Sequence, residues 1–183
     1  MKLRKPGWLT DLIDRYRQRN LSAAEQTLSS YDRGIRASEQ GDHALAIKHF
    51  TKALSAVPGL NKLHHHRADA FALNGQHRKA ITDYDAAVRL EPAYPDTYLD
   101  RGNSRYALGD LDDAAKDFSE AIRLRPGWAE AFANRAVVYA ERGDVAESGR
   151  DADRARTLGV DEVRLAEMLN EATLAREDVT PHT

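Results

Sequence analysis

Apolar residues recur along this chain with the spacing of amphipathic helices. Ala44, Ile47, Phe50 and Leu54 return every three or four positions, and the same pattern recurs over residues 80–88. Spacing of this kind puts the apolar side chains on one face of a helix. The pattern therefore predicts an all-α chain in which each helix buries one face.

Glycines and prolines divide this helical pattern at a fixed interval. Four glycines stand 34 residues apart: Gly41, Gly75, Gly109 and Gly143. Three prolines keep the same interval: Pro58, Pro92 and Pro126. Glycine accepts the left-handed backbone that ends a helix, and proline cannot extend the helix before it. A period of this size predicts helical hairpins stacked into a solenoid.

The interval divides the chain into repeats with a flanking segment at each end. We expect helix pairs at residues 27–40 with 44–57, 61–74 with 78–90, 95–108 with 112–124, and 129–142 with 145–158. The predicted units are a basic N-terminal segment with a short amphipathic helix (1–26), four repeats (27–60, 61–94, 95–128 and 129–160), a C-terminal capping helix (161–177) and a tail (178–183). The fourth repeat is degenerate, because Ala152 and Val160 replace the aromatic residue and the proline of the others.

Capping signals predict where the first repeat helix and the C-terminal helix begin. Ser22 and Glu25 have the spacing of a capping box, so the first repeat helix is expected to begin near Ala23. Asp161 is expected to cap the C-terminal helix. The helix before Ser22 is expected to pack on the first repeat through Trp8, Leu9, Leu12, Ile13 and Tyr16.

Small, aromatic, alanine and proline markers occupy the same places in successive repeats. The third repeat carries the fullest set: Tyr98, Leu99, Gly102, Leu108, Gly109, Ala114, Phe118, Ala121 and Pro126. With the period of 34 residues, this set resembles the tetratricopeptide repeat (TPR) family over residues 27–160. The resemblance implies a right-handed superhelix whose first helices line a concave groove that grips a peptide or helix of a partner protein.

An arginine also recurs at this interval: Arg33, Arg67, Arg101 and Arg135. In three repeats an aspartate follows 16 residues later, on the second helix: Asp83, Asp117 and Asp151. A row of arginines can bind phosphate, but this spacing favours structural ion pairs between the two helices of a hairpin. Arg33 has His49 in that place and is expected to be the least well paired.

The run His64 to His66 raises the question of a metal. His65 and Asp69 are four residues apart and share a helical face, which can supply two ligands to an ion. A third ligand would have to come from another repeat, and no spacing in the sequence dictates one. We therefore predict a satisfied or solvated histidine cluster, with no metal site and no cofactor.

The resemblance assigns a set of first-helix residues to the concave groove: Tyr31, Ile35, Lys62, His65, His66, Asp69, Asp96, Leu99, Asp100, Asn103, Tyr106, Glu130, Asn134, Val137 and Glu141. Carboxylates outnumber Lys62, the one fixed cation of the set. Such a groove favours an extended segment that carries Lys or Arg and one or two apolar anchors, and Asn103 and Asn134 are expected to bind its backbone. The alternative is a solvated acidic face that binds nothing.

One known TPR ligand is predicted not to bind. In the family, co-chaperone TPR domains hold the acidic C-terminus of heat-shock proteins with Lys, Arg and Asn side chains of the first helices. At the corresponding places this chain has Tyr31, Ile35, His66, Asp96 and Asp100. The two carboxylates would repel that ligand.

Composition narrows the other classes of function. A net charge of −2 gives no case for nucleic-acid binding, and the absence of cysteine excludes disulfides and cysteine-ligated zinc. No phosphate-binding loop, nucleophile elbow or catalytic carboxylate pair occurs, so no enzyme activity is predicted. There is no signal peptide and no stretch that could span a bilayer, so we expect a cytoplasmic protein.

A second class of function stays open beside peptide binding. The N-terminal segment is basic, with Lys2, Arg4, Lys5, Arg15, Arg17 and Arg19. Either this segment or the C-terminal helix could join copies of the chain into a structural scaffold. The sequence thus predicts an adaptor that binds another protein in its groove, with self-association as the alternative.

Overall fold

The computed structural model describes the backbone of residues 7–179 and the side chains of residues 22 and 24–177. This part of the chain forms helices and turns without any strand, and none of its helices is both long and apolar enough to cross a membrane. The helices are α1 (Gly7–Glu39), α2 (His43–Ala56), α3 (Asn61–Leu73), α4 (His77–Leu90), α5 (Pro95–Tyr106), α6 (Leu111–Leu124), α7 (Ala129–Arg142), α8 (Val145–Thr157) and α9 (Glu162–Val179). Apart from the start of α1, each end lies within two residues of the predicted one.

The helices form four hairpins that stack in chain order. The most extensive contacts join α1 to α2, α3 to α4, α5 to α6 and α7 to α8, and the next join each hairpin to the following one. The odd-numbered helices of neighbouring hairpins also touch one another, more than the even-numbered helices do. The stack therefore curves, with the odd-numbered helices on its inner, concave face.

Left-handed glycines end the first helix of each hairpin, as the 34-residue interval predicts. Positive φ angles between 72° and 87° occur at Gly41, Gly75, Gly109 and Gly143. A side chain is strained at such angles, which is why glycine recurs there. The expected aspartate caps form only in part: Asp42 accepts from the amide of Leu45 at 2.9 Å, whereas the side chains of Asp110 and Asp144 make no cap bond.

Small residues let the two helices of a hairpin approach closely. A β-carbon on Gly34 would lie 2.5 Å from Cε1 of Phe50, and one on Gly102 would lie 2.7 Å from Cε1 of Phe118. The second helices are small at the same crossing, where Ala46, Ala80 and Ala114 have no exposed surface. Each crossing is therefore set by an aromatic ring packed directly against backbone.

The recurring arginines each join three helices. Arg135 binds Asp151 of its own hairpin through two bonds, Nε to Oδ2 at 2.6 Å and Nη2 to Oδ1 at 2.9 Å, and its Nη1 donates to Ser119 of the preceding hairpin at 2.9 Å. Two further arginines repeat this arrangement: Arg67 with Asp83 and Thr51, and Arg101 with Asp117 and Asp85. The predicted pairs are confirmed, and each also ties its hairpin to the one before it.

Arg33 is the exception that the sequence predicts. Its side chain is exposed, and it makes no hydrogen bond or ion pair within the part of the chain whose side chains are described. The register offers it a histidine, His49, in place of an aspartate. Arg67, Arg101 and Arg135 are thus paired, whereas Arg33, at the same place in the first repeat, is not paired with any described side chain.

The first helix differs from the expectation. α1 runs without a break from Gly7 to Glu39, so the capping box at Ser22 and the separate helix start near Ala23 are wrong. Ser22 lies inside the helix and accepts a hydrogen bond from Nε2 of Gln26 at 3.3 Å. No glycine or proline stands between Gly7 and Gly34 to end a helix, so the chain continues helical.

Two predictions lie outside the described residues. The packing expected of Trp8, Leu9, Leu12, Ile13 and Tyr16 concerns side chains that are not described. The end of the tail, residues 180–183, also lies beyond the described backbone.

The C-terminal helix covers the last hairpin, as predicted. Asp161 caps α9 by accepting from the amide of Arg164 at 2.7 Å. Leu165 is buried among the alanines of the fourth hairpin, whereas Val163 and Ala166 on the same helix are exposed. The helix packs mainly on α7, so it covers the inner side of the fourth repeat.

The recurring arginines provide a stability test, in which the unpaired Arg33 is the control for the paired Arg135. Replacing Arg135→Met leaves the Asp151 carboxylate buried without its partner, so we expect the free energy of unfolding to fall by about 2–4 kcal/mol. Arg33→Met is the same substitution at an unpaired member and is expected to cost less than about 0.5 kcal/mol. Urea unfolding followed by circular dichroism measures both. Equal losses for the two variants would contradict the structural role of the pair.

Candidate functional site

The concave face carries most of the side chains that the sequence assigns to it. Lys62 and Glu130 are exposed, and His65 is buried. The others are partly exposed: Tyr31, Ile35, His66, Asp69, Asp96, Asp100, Asn103, Tyr106, Asn134 and Glu141. The odd-numbered helices therefore present a surface that is polar and mostly acidic.

Two predicted apolar contacts are absent from this surface. Leu99 is buried in a core cluster with Phe118, and Val137 is buried beside Ala172 of α9. As accessible anchors, Leu99 and Val137 are wrong, because the helical pattern does not reveal how far neighbouring helices cover them. The exposed apolar side chain on this face is instead Leu73, with 65 % of its surface accessible.

A cleft of about 470 Å³ opens between α3 and α5. Its lining includes Asp69, Leu73, Tyr84, Asp100, Asn103 and Ser104. Tyr84 belongs to a second helix, α4, and was not expected in the groove. The sequence did hold a signal for this position: Tyr84 has a hydroxyl, whereas the neighbouring repeats have Phe50 and Phe118 at the same place.

Hydrogen bonds orient the polar groups around this cleft. The hydroxyl of Tyr84 donates to Oδ1 of Asp69 at 2.7 Å, and Oγ1 of Thr97 lies 3.1 Å from Nδ1 of His65. Nε2 of His65 lies 3.6 Å from Oδ2 of Asp69 and 3.7 Å from Oδ2 of Asp100. One ligand atom from each of His65, Asp69 and Asp100 lies within 4.8 Å of the other two, so these residues together could hold a metal ion. Stacking of the hairpins thus supplies the third ligand that the sequence did not reveal.

Negative charge is concentrated around Asp100. Burial, followed by the charges of Asp69, Asp96 and Glu130, raises the pKa of its carboxyl to about 7. Burial lowers the pKa of His65, which favours the neutral form of the ring. A cation placed among these groups would relieve their mutual repulsion.

One of these carboxylates has a cationic partner. Asp96 binds Nη2 of Arg125 at 2.8 Å, and Arg125 stands over the ring of Trp128. Arg125 lies just after α6, and nothing in its spacing from Asp96 indicates the contact. Asp96 therefore contributes less free charge to the groove than the sequence suggests.

Two further pairs of predicted residues bond across neighbouring helices. The hydroxyl of Tyr31 lies 3.1 Å from Nε2 of His66, and Nδ2 of Asn134 donates to Oδ1 of Asn103 at 2.8 Å. The asparagine pair leaves the amide nitrogen of Asn103 and the carbonyl oxygen of Asn134 for other partners. The bond uses one N–H of Asn134 and one acceptor site of Asn103, so most of the bonding capacity of the two amides is left.

Helix α9 limits the groove at its C-terminal end. Tyr106 of α5 packs against the buried cluster of Val137, Ala140 and Ala172, against which Met168 and Leu169 of α9 also pack. Burial, together with a hydrogen bond to Glu141, raises the pKa of Tyr106 to about 12. The part of the groove open along its full width therefore lies on the first three repeats.

Two family models match the chain. One, described as TPR repeat, matches residues 68–109, and the other, described as tetratricopeptide repeat, matches residues 99–159. Together they span residues 68–159, half of the chain. No protein of curated function matches it significantly.

Solved structures share the fold. The first TPR of Spaghetti (RPAP3), bound to the HSP90 peptide SRMEEVD, is 28 % identical with a TM-score of 0.63, over 65 % of this chain and 94 % of that one. MamA is 20 % identical with a TM-score of 0.75, over 85 % and 86 % of the two chains. YrrB, described as a TPR protein with an unusual peptide-binding site, is 20 % identical with a TM-score of 0.71, over 86 % of each chain. These likenesses confirm the predicted all-α TPR solenoid.

The raised pKa of Asp100 makes stability depend on pH. The folded protein holds this proton more tightly than the unfolded chain, whose carboxyl has a pKa near 3.8, so stability is lost as pH rises towards 7. Asp100→Asn removes that loss. The Asp100 side chain is 34 % exposed, so water screens part of the effect. We therefore expect the free energy of unfolding of Asp100→Asn, relative to that of wild type, to rise by only about 1–2 kcal/mol between about pH 5 and about pH 8.

Urea unfolding in buffer with a metal chelator measures this difference. Asp112→Asn, at a side chain 79 % exposed on α6, is the matched control and should show a constant difference from wild type. An advantage of Asp100→Asn that does not change with pH would contradict the raised pKa.

Proposed function

Because the chain belongs to the tetratricopeptide repeat family, we propose that it is a protein-interaction module whose concave groove binds a peptide segment of a partner protein. A TPR domain that is 28 % identical binds the HSP90 peptide SRMEEVD, which supports peptide binding as the mode. We assign it the role of an adaptor in the cytoplasm, with binding and not catalysis as its activity. Nucleic acid is not a proposed partner.

The acidic side chains of the groove favour a peptide segment that carries Lys or Arg. The observation that carries this proposal is the convergence of carboxylates at the cleft between α3 and α5, which both Asp69 and Asp100 line. Burial, followed by the charges of Asp69, Asp96 and Glu130, raises the pKa of Asp100 to about 7. A lysine or arginine side chain would neutralise this charge and steer encounter with the correct partner. Leu73 at the edge of the cleft gives the segment an apolar contact.

An acidic C-terminal peptide is not the proposed ligand. Such a peptide would bring further carboxylates next to Asp96 and Asp100, both on α5. Like charges at this distance are repulsive, and partial burial weakens the screening by water. The proposed ligand therefore differs in charge from the peptide that the RPAP3 domain binds.

Charge reversal at the cleft tests this proposal. The probes are fluorescent peptides with Lys or Arg next to Leu, Ile or Phe, together with SRMEEVD, measured by fluorescence polarisation in buffer with a metal chelator. We expect Asp100→Lys to weaken binding of the basic peptides at least about tenfold, which corresponds to about 1.4 kcal/mol.

Asp112→Lys makes the same charge change at an exposed site on the second helix α6 and is the matched control. Circular dichroism checks that both variants keep the helical content of wild type. The proposal fails if both variants bind the basic peptides equally well, or if wild type binds SRMEEVD more tightly than the basic peptides.

Self-association through α1 is a second candidate function. α1 has 33 residues and its hairpin partner α2 has 14, so more than half of α1 has no counterpart within the first hairpin. At 1.5 Å per residue this helix is about 50 Å long, enough to pair with a second copy. This function predicts a dimer in light scattering that becomes a monomer when residues 1–21 are deleted. A full-length chain that stays monomeric at every concentration excludes it.

A further inference from the structure

The groove contains three side chains arranged as ligands of one ion. His65 and Asp69 lie one turn apart on α3, and Asp100 comes from α5 of the next repeat. Nε2 of the histidine faces Oδ2 of Asp69 and Oδ2 of Asp100, and one ligand atom of each of the three residues lies within 4.8 Å of the other two. One imidazole and two carboxylates are a donor set suited to divalent transition metals.

The distances within this cluster fit a metal better than an ammonium group. A tetrahedral ion with bonds of about 2.0–2.2 Å separates its ligand atoms by about 3.3–3.6 Å. An ammonium nitrogen with hydrogen bonds of about 2.8 Å would separate its acceptors by about 4.5 Å. The measured separations from Nε2 are 3.6 Å to Asp69 and 3.7 Å to Asp100. Both separations are too long for direct hydrogen bonds from the histidine to the carboxylates.

Neighbouring residues hold two of the ligands in the orientation that a metal requires. Tyr84 donates to Oδ1 of Asp69 and leaves Oδ2 directed at the cluster. With its proton on Nδ1, His65 donates to Thr97 and turns the lone pair of Nε2 towards both carboxylates. Metal-binding histidines and carboxylates depend on such outer hydrogen bonds, which set the tautomer and the ring orientation.

A buried hydroxyl beside the cluster lacks a partner. Ser104 is 1 % exposed and lines the same cleft as Asp69 and Asp100, and its Oγ makes no hydrogen bond to any residue described in the structure. Buried polar groups are normally satisfied, often by an ordered water. A water that completes the coordination of an ion in this cleft would give Ser104 its partner.

We propose that His65, Asp69 and Asp100 bind a divalent transition metal ion of the zinc class, with open positions that face the cleft between α3 and α5. The ion lies within the groove and joins the second repeat to the third, so its binding stabilises their stacking. The open positions allow water, or a donor side chain of a bound protein, to complete the coordination.

Titration of the untagged, metal-stripped full chain with Zn²⁺ tests the proposal. Isothermal calorimetry is expected to give one ion per chain, and the thermal unfolding midpoint is expected to rise with Zn²⁺ concentration. Asp100→Asn and His65→Gln should each weaken binding at least tenfold. Tyr84→Phe, which removes only the hydroxyl that orients Asp69, should weaken it about tenfold.

His49→Gln on α2 and Asp112→Asn on α6 are the matched controls and should bind Zn²⁺ like wild type. Asp100→Asn keeps the test decisive if His65→Gln fails to fold, because it removes a repelled charge and is expected to fold. Absence of saturable Zn²⁺ binding overturns the proposal, and so does binding that Asp100→Asn and Tyr84→Phe leave unchanged. The peptide measurements use a chelator, so failure of the metal site is distinguishable from failure of the proposed function.

Discussion

A bidentate arginine–aspartate pair that also reaches the preceding hairpin keeps the repeats of this protein in register. Arg67, Arg101 and Arg135 each bind an aspartate on their own second helix and a polar side chain on the second helix before it. A single hairpin cannot bury its apolar faces alone, so the core exists only when hairpins stack. The planar guanidinium accepts only a narrow range of geometries, and it therefore sets how each hairpin sits on the last.

This stacking determines the electrostatics of the groove. The helices α3, α5 and α7 each bring one or two carboxylates to the concave face, and the curvature moves those of neighbouring repeats towards each other. Burial, and then the charges of Asp69, Asp96 and Glu130, raise the pKa of Asp100, although Asp69 and Glu130 belong to other repeats. Perturbed groups of this kind concentrate at functional sites, where binding of a ligand offsets the repulsion. The peptide proposal and the metal proposal both follow from this one arrangement.

The last helix gives the groove a boundary. A solenoid leaves one apolar face uncovered at its end, and α9 covers it by burying Leu165 and Ala172. Tyr106 of α5, in the third repeat, packs against the same cluster as Ala172. Covering the end of the core and shortening the open groove are thus two results of the same packing.

The sequence by itself determined the repeat length, the helix ends, the left-handed turns and the arginine–aspartate pairs, because each depends on local backbone preference or on residues within one hairpin. The capping box at Ser22 misled because two local signals competed there, and the absence of any helix breaker prevailed. Only the tertiary structure decided that Asp100 meets His65, that Arg125 binds Asp96, and that Leu99 and Val137 are buried. Those contacts depend on how far each hairpin rotates against the next. That rotation results from packing summed over many side chains, and no spacing along the chain records it.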